Sequence, residues 1–171
     1  DWSSDVCSSD LTPGLFTKQL ELALLENKID LAVHSLKDLP TDQPPLLEIG
    51  AITERVSTED WLLIHPDAFE GQQPLYLKSG AHVGTSSLRR EAQILSSRSD
   101  LKVSPIRGNV PTRVAAVRDK KVDATVLAAA GLERLQLNLD GVSVVKLSER
   151  DFPPAPGQGA LAIEKIGRAH V

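Results

Sequence analysis

The sequence predicts an α/β protein of two lobes, built on mixed, mostly parallel sheets with helices on both faces. Three observations lead there. Short apolar runs alternate with helical patterns along most of the chain, as strands joined by crossovers do. Twice between residues 83 and 113 an apolar run enters a glycine-containing turn and then a helical pattern. A polar stretch without periodicity, residues 54–60, interrupts the alternation and reads as a crossover between lobes.

Two terminal segments are set aside before the elements are taken in order. Residues 5–11 read D-V-C-S-S-D-L, and a DNA strand encoding them gives K-I-G-R-A-H-V, residues 165–171, on its complement. One duplex read from both strands resembles a sequencing adapter. Residues 1–11 and 165–171 are therefore expected to be non-native scar, outside fold reasoning. Cys7 goes with them, so cysteine usage says nothing about redox compartment, and no metal site is assigned. Without Asp1, Asp5, Asp10, Lys165 and Arg168, the 23 acids and 19 bases become 20 and 17, a net charge of −3. That balance argues against nucleic acid as a partner. No apolar run approaches the roughly 18–20 residues that span a bilayer, so no membrane partner is expected either.

Residues 14–27 read as a helix with Phe16, Leu20, Ala23 and Leu24 on one stripe and Asn27 as its stop. Residues 29–33 form a short apolar strand that delivers His34-Ser35-Leu36-Lys37-Asp38, a charged pair at the strand end where open α/β sheets place ligands. A solvated K-D turn is the plain alternative. Residues 47–53 and 61–64 are strands, His65 before Pro66 is a loop residue, and residues 69–77 connect.

Val83 opens V-G-T-S-S-L-R-R, with Ser86 or Ser87 as N-cap of a helix to about residue 97 and Glu91 near enough to complete a capping pair. Arg89 and Arg90 lie about 100° apart on that helix, so one is expected to face the ligand and the other its rim, or both to pair with Glu91 or Asp100. After a strand at 101–106 comes R-G-N-V-P-T-R, with Pro111 in a first helical turn beside Arg113. A cation at that end of a helix is unfavourable unless an anion is bound nearby. Helix N-termini gather unpaired N–H groups, and arginine fits carboxylates or phosphates in two-point fashion. Two such turns point to a ligand with several negative charges. The helix runs to about 121, a buried strand covers 122–127, and residues 128–135 start another helix whose small residues permit close backbone approach, for packing or for a ligand. Residues 142–147 are the last strand, before a rigid Pro-rich loop on which Gln158, between two glycines, is expected to be exposed.

Five motifs, H-S-L-K-D-L-P, V-G-T-S-S-L-R-R, R-G-N-V-P-T-R, A-A-A-G-L-E-R-L and P-A-P-G-Q-G-A, occur in one order over residues 12–164. Together they resemble the porphobilinogen deaminase (hydroxymethylbilane synthase) family of tetrapyrrole and haem biosynthesis. The resemblance implies a transferase that joins four porphobilinogen units head to tail, releasing ammonia, on a covalent dipyrromethane cofactor. It implies Asp38 as the catalytic carboxylate. Ser35, Lys37, Thr85, Ser86, Ser87, Arg89, Arg90, Arg107, Gly108, Ala128 and Gln158 are implied as cofactor-binding residues. Phe16, Arg107 and Arg113 are implied at the substrate; for Phe16 this stands beside a core-anchoring role. Each lobe then resembles one of type II periplasmic binding proteins, with residues 12–57 and 152–164 in domain 1 and 58–151 in domain 2. Porphobilinogen is the implied partner of a monomeric, cytoplasmic enzyme.

The departures are Pro13, where the family usually carries lysine, and the family's N-terminal strand and cofactor-attachment cysteine, which this sequence does not contain. The piece alone is expected to be inactive and its full-length parent to be the enzyme. A second reading is a non-catalytic anion- or solute-binding two-lobed module. Asp38 separates the two, since an anion receptor has no use for a carboxylate facing its ligand. A nucleotide-phosphate binder is a third, without a P-loop or G-x-G-x-x-G to support it.

Overall fold

The computed structural model describes residues 15–167, with side chains from Thr17 onward. In chain order the elements are α1 (Leu15–Leu25), β1 (Ala32–Ser35), β2 (Leu47–Ile52), β3 (Asp60–Ile64), β4 (His82–Gly84), α2 (Leu88–Ser97), β5 (Lys102–Ser104), α3 (Val110–Arg118), β6 (Ala124–Ala128), α4 (Ala129–Leu135), β7 (Ser143–Lys146) and β8 (Leu161–Ile166). The chain divides into two compact units, the first reaching Arg55 and resuming at Ala160, the second holding Val56 to Gly159.

In unit 1, β8 lies between β1 and β2 and runs antiparallel to both. Leu24 of α1 packs on Ala32 and Leu47, with Leu20 and Ile29 beside them. The helix ends as its sequence predicts: Asn27 takes a left-handed φ of 53°, and Lys28 N–H bonds back to Ala23 O at 2.8 Å. β1 starts later than the apolar run at 29–33, and its inward positions are Ala32 and His34, while Leu31 and Val33 face solvent. Period-two side-chain direction, not local hydropathy, decides which face is covered. β8 has no counterpart in the sequence reading. Its inward positions are Ala162 and Glu164, so a charged residue stands where an apolar alternation would have marked a strand. The ladder also continues through Lys165 and Ile166, past the boundary drawn at 164, and Lys165 pairs with Glu48 of β2.

In unit 2 the order is β5-β4-β6-β3-β7. β4 is parallel to β5 and β6, whereas β3 is antiparallel to β6 and β7. Each sheet therefore has one strand against the rest, β8 or β3, and each is the first strand after the chain passes between units. Leu62, Ile64, Val83, Ile94, Ala124 and Val126 form the main core. The second passage falls at 159/160, not at 151/152 as expected: Phe152, 4% exposed, belongs to that core. The connection at 69–77 is held by a stacked Phe69–Tyr76 pair, centroids 5.9 Å apart. His65 acts as loop structure, its Nδ1 accepting from Asp67 N–H at 3.2 Å. Among the described residues, no helix is long and apolar enough to cross a membrane.

Candidate active site

Three neighbouring strands of unit 2 run parallel. β4 ends at Gly84, opposite Ser104 of β5 and Thr125 of β6, and β6 runs three residues further to Ala128. The residues that follow, 85–87, 105–109 and 128–129, thus lie at the carboxyl edge of one sheet, where α/β folds bind ligands. The two glycine-containing turns are tied directly: Ser86 Oγ donates to Ile106 O at 2.7 Å, and Thr85 N–H donates to Ser104 O at 2.9 Å. Ser87 is the N-cap of α2, its hydroxyl accepting from Arg90 N–H at 3.4 Å, and Thr85 Oγ1 accepts from Ser87 N–H at 3.2 Å. Thr85, 2% exposed, and the half-buried Ser87 accept from the backbone, whereas the Ser86 proton is committed to Ile106 O.

The second turn needs its glycine. Gly108 has φ +103°, and a Cβ there would stand 2.7 Å from Thr112 Cγ2. Asn109 caps α3, accepting from Thr112 N–H at 3.0 Å, with Pro111 in the first turn as predicted. Gly108→Ala is expected to lower stability by about 1–2 kcal/mol, the cost of a left-handed backbone for an L-residue. Urea unfolding of the chain checks this; an unchanged midpoint would show that the turn relaxes freely.

Arg89 and Arg90 do not diverge as their positions on a helix predict. Both reach Asp60, the first residue of β3, which is 1% exposed. Arg90 Nη2 donates to Oδ1 at 2.6 Å and its Nε to Oδ2 at 3.2 Å, a two-point grip, while Arg89 Nη2 donates to Oδ2 at 2.7 Å. Long side chains curl back over the helix end, and the buried carboxylate collects them. Asp100, offered as an alternative partner, pairs instead with Arg98 at 2.7 Å. Burial by itself would push the Asp60 carboxyl up, but Arg90 and then Arg89 more than cancel it and hold it below the ordinary range.

Gln158 is likewise not exposed. At 1% exposure it donates through Nε2 to Thr58 O at 2.5 Å and Asp60 Oδ1 at 3.2 Å. Ala128 lies across from Asp60 in the β3–β6 register. Asp60 is the residue that sequence reading missed. Its one sequence signal is an acid immediately before the apolar run W-L-L-I, at the end of the polar crossover of residues 54–60.

Arg107 is exposed and engages no carboxylate among the described residues. Arg113 Nε donates to Gly108 O at 2.9 Å. Burial first, then the neighbouring Arg90 cation, push its guanidinium down from the usual range. One carboxylate against Arg89 and Arg90, with Arg113 and Arg107 added, leaves this edge with surplus positive charge. That donor set fits a ligand bearing several carboxylates, as dipyrromethane does.

In unit 1, β1 delivers Ser35 and a tight turn of Leu36–Asp38, closed by Leu39 N–H to Leu36 O at 3.3 Å. Ser35 and Lys37 are half-buried and Asp38 is exposed. Asp38 lines a groove of about 340 Å³ with Thr17, Lys18 and Glu21 of α1 and Leu39, Pro40 and Pro44. Phe16 lies in α1, but its side chain, like Cys7 and Pro13, is outside the described residues.

The strand directions and the ligand edge define the class: two α/β units of the type II periplasmic-binding-protein kind. Solved structures bear this out at the level of fold alone. A Brucella ovis ABC transporter/periplasmic binding protein with glutathione bound is 16% identical, with TM-score 0.53, 88% of this chain and 47% of that one covered. An ABC transporter from Parabacteroides distasonis is 14% identical, with TM-score 0.54, 88% and 52% covered. The effector-binding domain of a BenM variant is 16% identical, with TM-score 0.51, 91% and 70% covered.

The sequence identifies the family within that class. The family model for the porphobilinogen deaminase dipyromethane cofactor binding domain matches residues 3–169. Porphobilinogen deaminases of Alkaliphilus metalliredigens and Neisseria meningitidis serogroup B are 47% and 49% identical, each over 88% of this chain and 46% and 47% of their own length. That of Caldicellulosiruptor saccharolyticus is 45% identical, over 90% of this chain and 51% of its own length. The chain belongs to the porphobilinogen deaminase family. It spans about half the length of the curated relatives it matches.

Proposed function

We propose that this chain is the cofactor-binding part of a hydroxymethylbilane synthase, which deaminates and joins four porphobilinogen units on a covalent dipyrromethane. The observation that carries the reading is the surplus of guanidinium at the carboxyl edge of β5-β4-β6, answering the acetate and propionate on every pyrrole. When bound, dipyrromethane supplies the pyrrole carbon to which the first unit is joined. Arg107 and Arg113 grip acid side chains directly, with Ser87 and Thr85 beside them. Arg89 and Arg90 contribute from their positions on Asp60. Gly108 and Ala128 allow close approach, and Gln158 acts by bracing Asp60. Ser35 and Lys37 of unit 1 bind further carboxylates.

Asp38 stabilises the positive charge left on the substrate methylene when ammonia departs, and that is what a pure solute receptor would not need. In this reading unit 1 corresponds to domain 1 of the family and unit 2 to domain 2. The parent acts as a cytoplasmic monomer, and the 171-residue piece alone is inactive.

The test is a full-length relative in which residues 12–164 of this chain replace the matching segment, assayed with porphobilinogen. Formation of hydroxymethylbilane is expected; none at all would reject the reading. In that graft Arg107→Leu is expected to lower kcat/KM by about 10- to 100-fold, the loss of one charge-assisted contact of about 1.5–3 kcal/mol. An unchanged kcat/KM would remove Arg107 from the substrate grip.

A further inference from the structure

Joining pyrroles requires more than stabilising a cation. As the carbon–nitrogen bond of the substrate breaks, ammonia leaves with the bonding pair. The methylene then bonds to the α-carbon of the acceptor pyrrole, and that carbon must lose a proton for the ring to recover its aromaticity. A base is needed within reach of the same groove.

Glu21 is placed for this. It lies one helical turn after Thr17 and Lys18 on α1, and all three line the groove whose opposite wall is Asp38, Leu39, Pro40 and Pro44. The volume of about 340 Å³ suits a single pyrrole. Behind the groove lies a buried pair that the reading above does not use. His34 of β1 and Glu164 of β8, 5% and 0% exposed in their side chains, meet through Nε2 and Oε2 at 3.0 Å. The other oxygen of Glu164, Oε1, is buried without a hydrogen-bond partner.

The charges facing Glu21 are Lys18 on its own helix, Glu164, His34 and, across the groove, Asp38. Burial first, then the Glu164 carboxylate, raise the Glu21 carboxyl above the ordinary range, against the opposing pull of His34 and Lys18. A carboxylate so placed is a stronger base than one in water.

We propose that Glu21 is the proton acceptor for the acceptor pyrrole's α-carbon, in the groove it shares with Asp38. The inference rests on the deaminase reading. The two carboxylates divide the work: Asp38 faces the charge as it forms, and Glu21 takes the proton that the new carbon–carbon bond displaces. The proton then leaves from Glu21 to the departed ammonia or to water, which restores the carboxylate for the next unit. Atoms and charge balance with no further reactant.

The experiment has two arms. Side-chain carbon NMR of the 171-residue chain should show Glu21 titrating above the ordinary glutamate value of about 4.3. In the full-length graft, Glu21→Gln should lower kcat by about 100-fold with little change in KM, and should remove the acid limb of the kcat–pH profile. Circular dichroism confirms that the variant is folded. An ordinary titration of Glu21 overturns the proposal even if the variant fails to fold. So does an unaltered kcat and acid limb in Glu21→Gln, and if Asp38→Asn is crippled in that same graft, the deaminase reading stands without it. No product from the unaltered graft would end both.

Discussion

Asp38→Asn in the full-length graft is expected to cut turnover by about 10²- to 10³-fold while dipyrromethane remains attached, as read by intact mass. The asparagine keeps the shape of the side chain and its hydrogen-bonding reach but removes the negative charge. Asp38 is exposed on a three-residue turn, with no ion pair among the described residues, so the substitution leaves no buried partner stranded. Loss of activity with the fold and attachment intact therefore reports charge. A neutral residue at 38 with full turnover would mean that the methylene cation is stabilised elsewhere.

The second large effect is on stability. Asp60→Ala strands the buried Arg90 guanidinium, leaves Arg89 with Gln93 and Pro153 O, and removes one acceptor of Gln158. Breaking a buried pair from one side costs about 3–5 kcal/mol, because the remaining charge is uncompensated. Urea unfolding of the chain should show that loss, and Arg113, already under pressure from Arg90, should gain no relief.

The sign of the pH dependence follows from the lowered Asp60 carboxyl. Its contribution to stability is present above the unfolded carboxyl value and is lost as pH falls through the folded one. Asp60→Asn should flatten that acid dependence. A variant as stable as the parent at neutral pH, with the same acid profile, would show that Asp60 organises nothing. The energetic weight of this site would then lie in the turns.

The helix stop at Asn27, the cap at Ser87 and Pro111 in the first turn of α3 were all legible in the sequence. Each depends on residues within one turn of one another, and short-range chemistry is what a sequence carries openly. The resemblance in five motifs reached further and led to the family itself. Neither source disclosed what holds the arginines. Asp60 and Arg90 are 30 positions apart, and Gln158 is 98 from Asp60; only the β3–β6 pairing and the return of the chain bring them to one point.

The same holds for β8. Its inward charged residue hid it from periodicity, and its place between β1 and β2 exists only once 130 residues of chain have brought Glu164 to His34. Residues close together in the chain set where helices begin and where turns gather N–H groups, and the order of the motifs sets which family the chain resembles. Which arginines are already paired with a carboxylate depends on the tertiary fold. Pairing across the sheet is set by strand order and burial, and a linear pattern encodes neither.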